Sequence, residues 1–187
     1  MTDRDVAASA AAETQPRLHT EVSSRAELLP SLRVLGAVAV LGLPLGWLWS
    51  LLAPPEVVRV QRGRVTSPLL AQSTHRFDDL AVFLLLGLAA GVLTGAAVWL
   101  LRQRRGPVML VAATAGALAG AWLALHTGEV LAGWRYTGAL EAVPVGELGL
   151  LAPTVASSWA VVMQPLWTAF AYGAAASWNA SDDLGRT

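Results

Sequence analysis

The chain has 187 residues, 55 % hydrophobic and only 14 % charged, with 13 basic and 13 acidic side chains and no formal net charge. Disorder throughout needs low hydrophobicity and high charge, so it is excluded, and so is nucleic-acid binding by bulk positive charge. Cysteine is absent, which removes disulfide frameworks, Cys-zinc sites and thiol redox chemistry.

Residues 1 to about 30 are polar, rich in Ala, Ser and Thr, and free of aromatics. Such a segment buries too little apolar surface to offset its chain entropy, which predicts a disordered tail. Leu28 to Leu32 are expected to lie along a membrane surface. Four stretches without Asp, Glu or Arg follow: Val34–Pro55, Leu80–Leu101, Gly106–Gly128 and Leu148–Ser181. A helix crossing roughly 30 Å of hydrocarbon needs about 20 apolar residues. The first three stretches fit one crossing each, and the fourth exceeds one.

The pattern predicts helices at about 34–54, 80–101, 107–128 and 155–177. Leu148 to Thr154 would be an interfacial approach to the last helix, and Pro44 and Pro165 would bend the first and the last. The fold class expected is all-α: an integral membrane four-helix bundle over residues 31–180. A disordered tail (1–30) precedes it, a small extracytoplasmic loop cap covers one end, and a short cytoplasmic tail (181–187) follows. A cleaved signal peptide fits poorly, because some 33 residues precede the first apolar run and no A-x-A-like site follows it.

Orientation follows from arginine. The connection Arg102-Gln103-Arg104-Arg105-Gly106 is short and basic, and such loops stay in the cytoplasm. Both termini are therefore expected inside a plasma membrane, with residues 54–79 and 129–147 outside. Trp47, Trp49, Trp99, Trp122, Trp159 and Trp178 fall near predicted helix ends, as interfacial aromatics do.

Small residues four apart let helix backbones approach. Helix two carries Gly87, Gly91 and Gly95, and helix three carries Ala112, Gly116, Gly120 and Ala124. Because a five-residue connection joins these helices, their small faces are expected to meet. Packing within one chain is preferred over homodimerisation, since every helix offers such a face.

No charged residue falls at the middle of a span, which speaks against proton-coupled transport and voltage sensing. P-loop, zincin, nucleophile-elbow and dinucleotide motifs are missing. Polar residues gather at the outer end instead. His75, Asp79, His126 and Glu129 are weighed as a divalent-metal site against an interfacial ion-pair network with Arg76 and Arg135, and the network is preferred. His126 is also weighed as a pH-sensitive group. In the first outer loop, Val57, Val58, Val60 and Val65 interleave with Arg59, Arg62 and Arg64 around Gly63. This predicts a short strand or hairpin. The three arginines are candidate contacts for anionic lipid, and this basic loop is expected to pair with the acidic loop 129–147.

The stretch from Arg33 to Trp178 resembles a family of small, uncharacterised actinobacterial membrane proteins that carry a domain of unknown function. The likeness rests on the proline pair in APPEVVRV, the acid-aromatic entry HRFDDLAVFLLL, the exit WLLRQRRGP and the Gly/Ala-rich third helix. It implies an actinobacterial inner membrane and a four-helix form, and no activity, cofactor or site residue. The function expected is a non-enzymatic structural, assembly or accessory subunit without cofactor. Its partners would be the bilayer and a membrane protein or a second copy, with no nucleic acid. A small oligomeric transporter or channel and an outer-face metal-binding or pH-sensing protein are the alternatives.

Overall fold

The computed structural model describes residues 29–61, 66–68, 73–101, 106–138 and 143–178, with the side chains of 66–68 and 73–76 outside the description. The predicted tail, apart from its last two residues, therefore lies outside the described residues. So do the side chains of Arg62, Arg64, His75, Arg76 and the three arginines of the connection 102–105.

Helix dominates. α1 spans Leu29–Leu52, α2 Ser73–Leu100, α3 Pro107–Tyr136, and α4 Met163–Trp178, the last preceded by a 3-10 turn at Ser158–Val162. Three of them, α1, the Phe77–Leu100 part of α2, and α3, are long and apolar enough to cross a membrane. α1, α2 and α3 each overrun the predicted bounds at one end or more. Leu29 to Leu32 belong to α1 rather than to a surface segment, and α2 takes in the charged run before Leu80. Charge marks where an apolar layer stops, but a helix continues through charged residues until its backbone is halted. For α3 the halt comes at Gly138, whose φ of +78° is reached without a Cβ clash.

Of the two prolines, Pro44 disturbs its helix as expected and Pro165 does not. α1 is interrupted at Leu41, one turn before Pro44, whose missing N–H leaves a gap in the ladder. Pro165 does not kink a long helix. It sits in the first turn of α4, where the chain passes from 3-10 to α and a missing donor costs little.

The principal correction concerns partners. α1 packs chiefly on α3 and α2 on α4, while α2 and α3 touch more lightly. A Cβ built on Gly95 would lie 2.6 Å from the Thr168 carbonyl oxygen and 2.8 Å from Ala171 Cβ, and one on Gly91 would run into Gln164. On the other side, a Cβ on Gly116 would lie 2.7 Å from the Leu35 carbonyl oxygen and one on Gly120 2.9 Å from that of Val38, while Gly42 and Gly46 press on Gly120 and Ala124. The order of these contacts makes both pairs parallel, since Leu35 precedes Gly46 along α1 as Gly116 precedes Gly128 along α3. The five-residue connection fixes only that α2 and α3 run in opposite directions. It leaves each free to turn its glycine face to a different helix.

Strands close one end, hereafter the cap end. β1 (Glu56–Val60), β2 (Thr66–Pro68) and β3 (Leu148–Leu151) form an antiparallel sheet in the order β2-β1-β3. The hairpin was legible in the loop's alternation. β3 was not: Leu148 to Leu151 reads as the start of an apolar span, because a short apolar run does not distinguish strand from helix. Val58 pairs with Gly149 and Arg59 with Leu148. The Val60 N–H donates to the Glu147 carbonyl at 3.0 Å, and the Gly146 N–H to the Val60 carbonyl at 2.8 Å. Among the described residues, the two segments are thus joined by main-chain bonds. The Arg59 guanidinium adds a donation to the Gly146 carbonyl at 3.2 Å.

The helix pairing has a direct check in a chain that has no cysteine of its own. Oxidation should crosslink Gly87→Cys with Met163→Cys, since a Cβ on Gly87 would lie 3.6 Å from that of Met163 with nothing nearer, a separation that suits a disulfide. Gly87→Cys with Ala124→Cys should stay reduced; crosslinking of that pair at equal rate would restore the α2–α3 seam.

Candidate functional site

The chemistry-bearing residues concentrate at the cap end. Trp49, near the end of α1, is fully buried at 0 % exposure. Its indole N–H donates to the Asp79 main-chain carbonyl at 3.0 Å. Phe83 meets its ring edge-on with centroids 6.3 Å apart. Gly128 lies against its other side, where a Cβ would come within 2.6 Å of Cε3. Ala53, Ala124, Leu125, Ala132 and Ala160 complete this cluster. Trp49 thereby joins α1, α2, α3 and the 3-10 turn in one layer. Trp49 falls near the end of α1 as expected but faces the core, whereas its neighbour Trp47 is exposed. Trp at such a depth is retained where its N–H finds an acceptor.

The overhang of α3 beyond this layer carries two ties. Arg135, in its last turn, donates a short hydrogen bond to the Ser50 carbonyl. Ser50 lies in the last turn of α1, where carbonyls lack intrahelical donors. Glu129 Oε1 accepts from the Val155 N–H at 3.1 Å, fixing the segment between β3 and the 3-10 turn. Both charged groups are spent on backbone.

The four residues weighed as metal ligands do not converge in what is described. Asp79 is buried beside Trp49, and Glu129 faces the Val155 amide. His126 is exposed, with Nδ1 2.9 Å from the Trp122 carbonyl and its ring stacked on Trp122 at 4.0 Å. A carbonyl only accepts, so Nδ1 carries the proton in this contact. The side chain of His75 lies outside the described residues. Among the described residues no group of three His, Asp or Glu comes together as metal ligands would.

The other end is held differently. Val98, Met109, Ala113 and Tyr172 form a second core cluster with Val34, Trp99 and Leu110 against it. The Gly106 N–H donates to the Tyr172 hydroxyl at 3.1 Å, which anchors the start of α3 to α4. Midway, Gln164 and Thr168 are buried. The Thr168 hydroxyl donates to the Gln164 carbonyl at 2.9 Å, while Gln164 Nε2 and Thr114 Oγ1 have no hydrogen-bond partner. On the outside of α4 an open groove of about 550 Å³ is lined by Ala169, Phe170, Gly173, Ala174, Ser177 and Trp178. These mid-bundle polar groups were legible only as isolated Thr and Gln letters, because their burial depends on which helices pair.

Among known proteins, the family model described as "Protein of unknown function (DUF2567)" matches residues 38–186. The "Uncharacterized protein Rv1591" of Mycobacterium tuberculosis strain H37Rv is 33 % identical over 165 residues, covering 77 % of this chain and 84 % of its own. The "Uncharacterized protein Mb1617" of Mycobacterium bovis matches to the same extent. No solved structure matches the chain.

Two substitutions test the cap-end layer by thermal unfolding. Trp49→Phe keeps most of the ring but loses the indole donation to Asp79, whose carbonyl retains its partner within α2, and should cost about 0.5–1.5 kcal/mol. Trp49→Ala should cost about 3–5 kcal/mol. Equal losses for both would show that the hydrogen bond, and not the ring, holds the layer. Glu129→Gln retains an oxygen acceptor for Val155 and should unfold near wild type, whereas Glu129→Ala should lose about 1–3 kcal/mol. If the Gln variant fell as far as Ala, the carboxylate charge would have a role that the Val155 contact does not explain.

Proposed function

The chain belongs to this family of proteins of unknown function, so no activity comes to it by descent, and we propose from its own geometry that it is an integral membrane protein of four crossings acting as a non-enzymatic structural, assembly or accessory subunit. One observation carries the reading: the bundle is apolar outside and small or polar inside. Leu85, Leu93, Val111, Leu118, Leu166 and Phe170 are exposed, while Ala113, Ala117, Gly116, Gly120, Thr168 and Gln164 are buried. A soluble bundle has the reverse arrangement. From Pro107 to Gly128, α3 rises about 33 Å at 1.5 Å per residue, close to the thickness of hydrocarbon. The 16-residue α4 reaches a similar height through the five residues of its 3-10 extension, at about 2.0 Å each.

The short arginine-rich connection 102–105 supports an orientation with both termini in the cytoplasm and the sheet outside. The absence of charge through the middle of the bundle supports a non-enzymatic role without a cofactor. The packing faces inside the chain are already occupied, so a partner or a second copy would meet the outer surface.

A transport reading has one observation in its favour, the unpaired Gln164 amide between α2 and α4. It is separable by substitution. If Gln164 is structural, Gln164→Met removes an unsatisfied donor and should leave thermal stability unchanged or raise it by about 1 kcal/mol. A loss of solute flux in reconstituted vesicles, with stability intact, would favour transport. The orientation is checked by fusing a reporter after Thr187, which should be active in the cytoplasm; activity only outside would reverse it.

A further inference from the structure

The sheet has two unlike faces. Val58 and Val60 point inward and are buried, with Gly149 opposite Val58. The other face carries Val57 opposite Leu150 and Arg59 opposite Leu148. Leu148 is 52 % and Leu150 42 % exposed, and Arg59 is exposed beside them. Apolar side chains on an edge strand are a liability in water, and proteins ordinarily blunt such edges with charge or cover. β3 does neither, and the cation stands on the central strand.

We propose that this outward face of the sheet is a contact for the anionic phospholipid head groups of the outer leaflet. The proposal rests on the membrane reading above. Three observations support it besides exposure. Charge is complementary, since Arg59 offers guanidinium donors beyond the one spent on Gly146, in the planar geometry that suits phosphate. The composition is interfacial, since aliphatic side chains around one guanidinium place apolar groups at the acyl boundary and the cation at the phosphates. The tether is short: β1 begins four residues after α1 ends, which allows at most about 14 Å of extension. The exposed Trp47 and Trp159 mark the same end with side chains that favour the head-group layer. The occupant is therefore lipid, recognised by phosphate and acyl chain together. Arg62 and Arg64 lie outside the described residues, and Arg59 is the cation of this face among the described ones.

The test uses the full chain in nanodiscs, with a nitroxide on Leu150→Cys, a second on Leu148→Cys, and a reference on Leu93→Cys, whose native side chain is 69 % exposed in mid-span. Phosphatidylcholine discs are compared with discs containing phosphatidylglycerol. The labels at 148 and 150 should be shielded from an aqueous nickel relaxant in the anionic discs. Arg59→Gln should reduce that shielding about fivefold, the worth of one basic side chain near an anionic surface. Labels equally open to nickel in both lipids, with the label at 93 still lipid-exposed, would overturn the proposal and leave the membrane reading standing. Shielding that persists in lipid-free detergent would overturn it in favour of a protein cover. A water-exposed label at 93 would remove the membrane reading itself.

Discussion

Two glycine seams determine the arrangement of this protein. Where Gly91 and Gly95 meet Gln164 and Thr168, and where Gly116 and Gly120 meet Leu35 and Val38, a side chain on either backbone would occupy space already taken. Close approach without a Cβ brings main chain to main chain over several turns, so dispersion contacts accumulate where aliphatic bulk would hold the helices apart. Both seams select helices that are two apart in sequence. The result is two parallel pairs, α1 with α3 and α2 with α4, laid against each other chiefly through α3 and α4.

The features at the cap end follow from that choice. With α1 beside α3, Trp49 falls against Gly128, where the ring meets backbone that carries no Cβ. The same pairing brings the end of α1 within reach of Arg135, so an exposed charge caps a carbonyl from the adjoining helix. Glu129 performs the complementary task for a loop amide. Residues that look in sequence like a reactive cluster of His, Asp, Glu and Arg are divided among anchoring duties. Among the described ones, Arg135, Glu129 and His126 Nδ1 each meet a main-chain group.

Helix existence was legible from charge spacing, because a chain of this composition places its few ionisable groups outside its apolar layers. Helix limits were less so, since Asp78, Asp79, Glu129 and Arg135 interrupt the apolar pattern without interrupting the helix. Partner choice could not be read at all. Gly87, Gly91, Gly95, Gly116 and Gly120 announce close packing, but nothing in their spacing says against which helix. The role of Trp49 and the strand at Leu148 were hidden for a related reason: both depend on residues far away in the chain, Asp79 and Val58 among them.

The pairing of β1 with β3 has a consequence for biosynthesis. Val58 and Gly149 meet, yet the chain between them contains all of α2 and α3. A ribosome therefore delivers β1 well before β3 exists, and the β1–β2 pair must wait with one edge open while two further helices are made. Closure of so long a loop is slow relative to local helix formation. The sheet can therefore close only after α2 and α3 have been made, ahead of the α2–α4 seam, and a chain cut short before Leu148 would leave this edge of β1 without its partner.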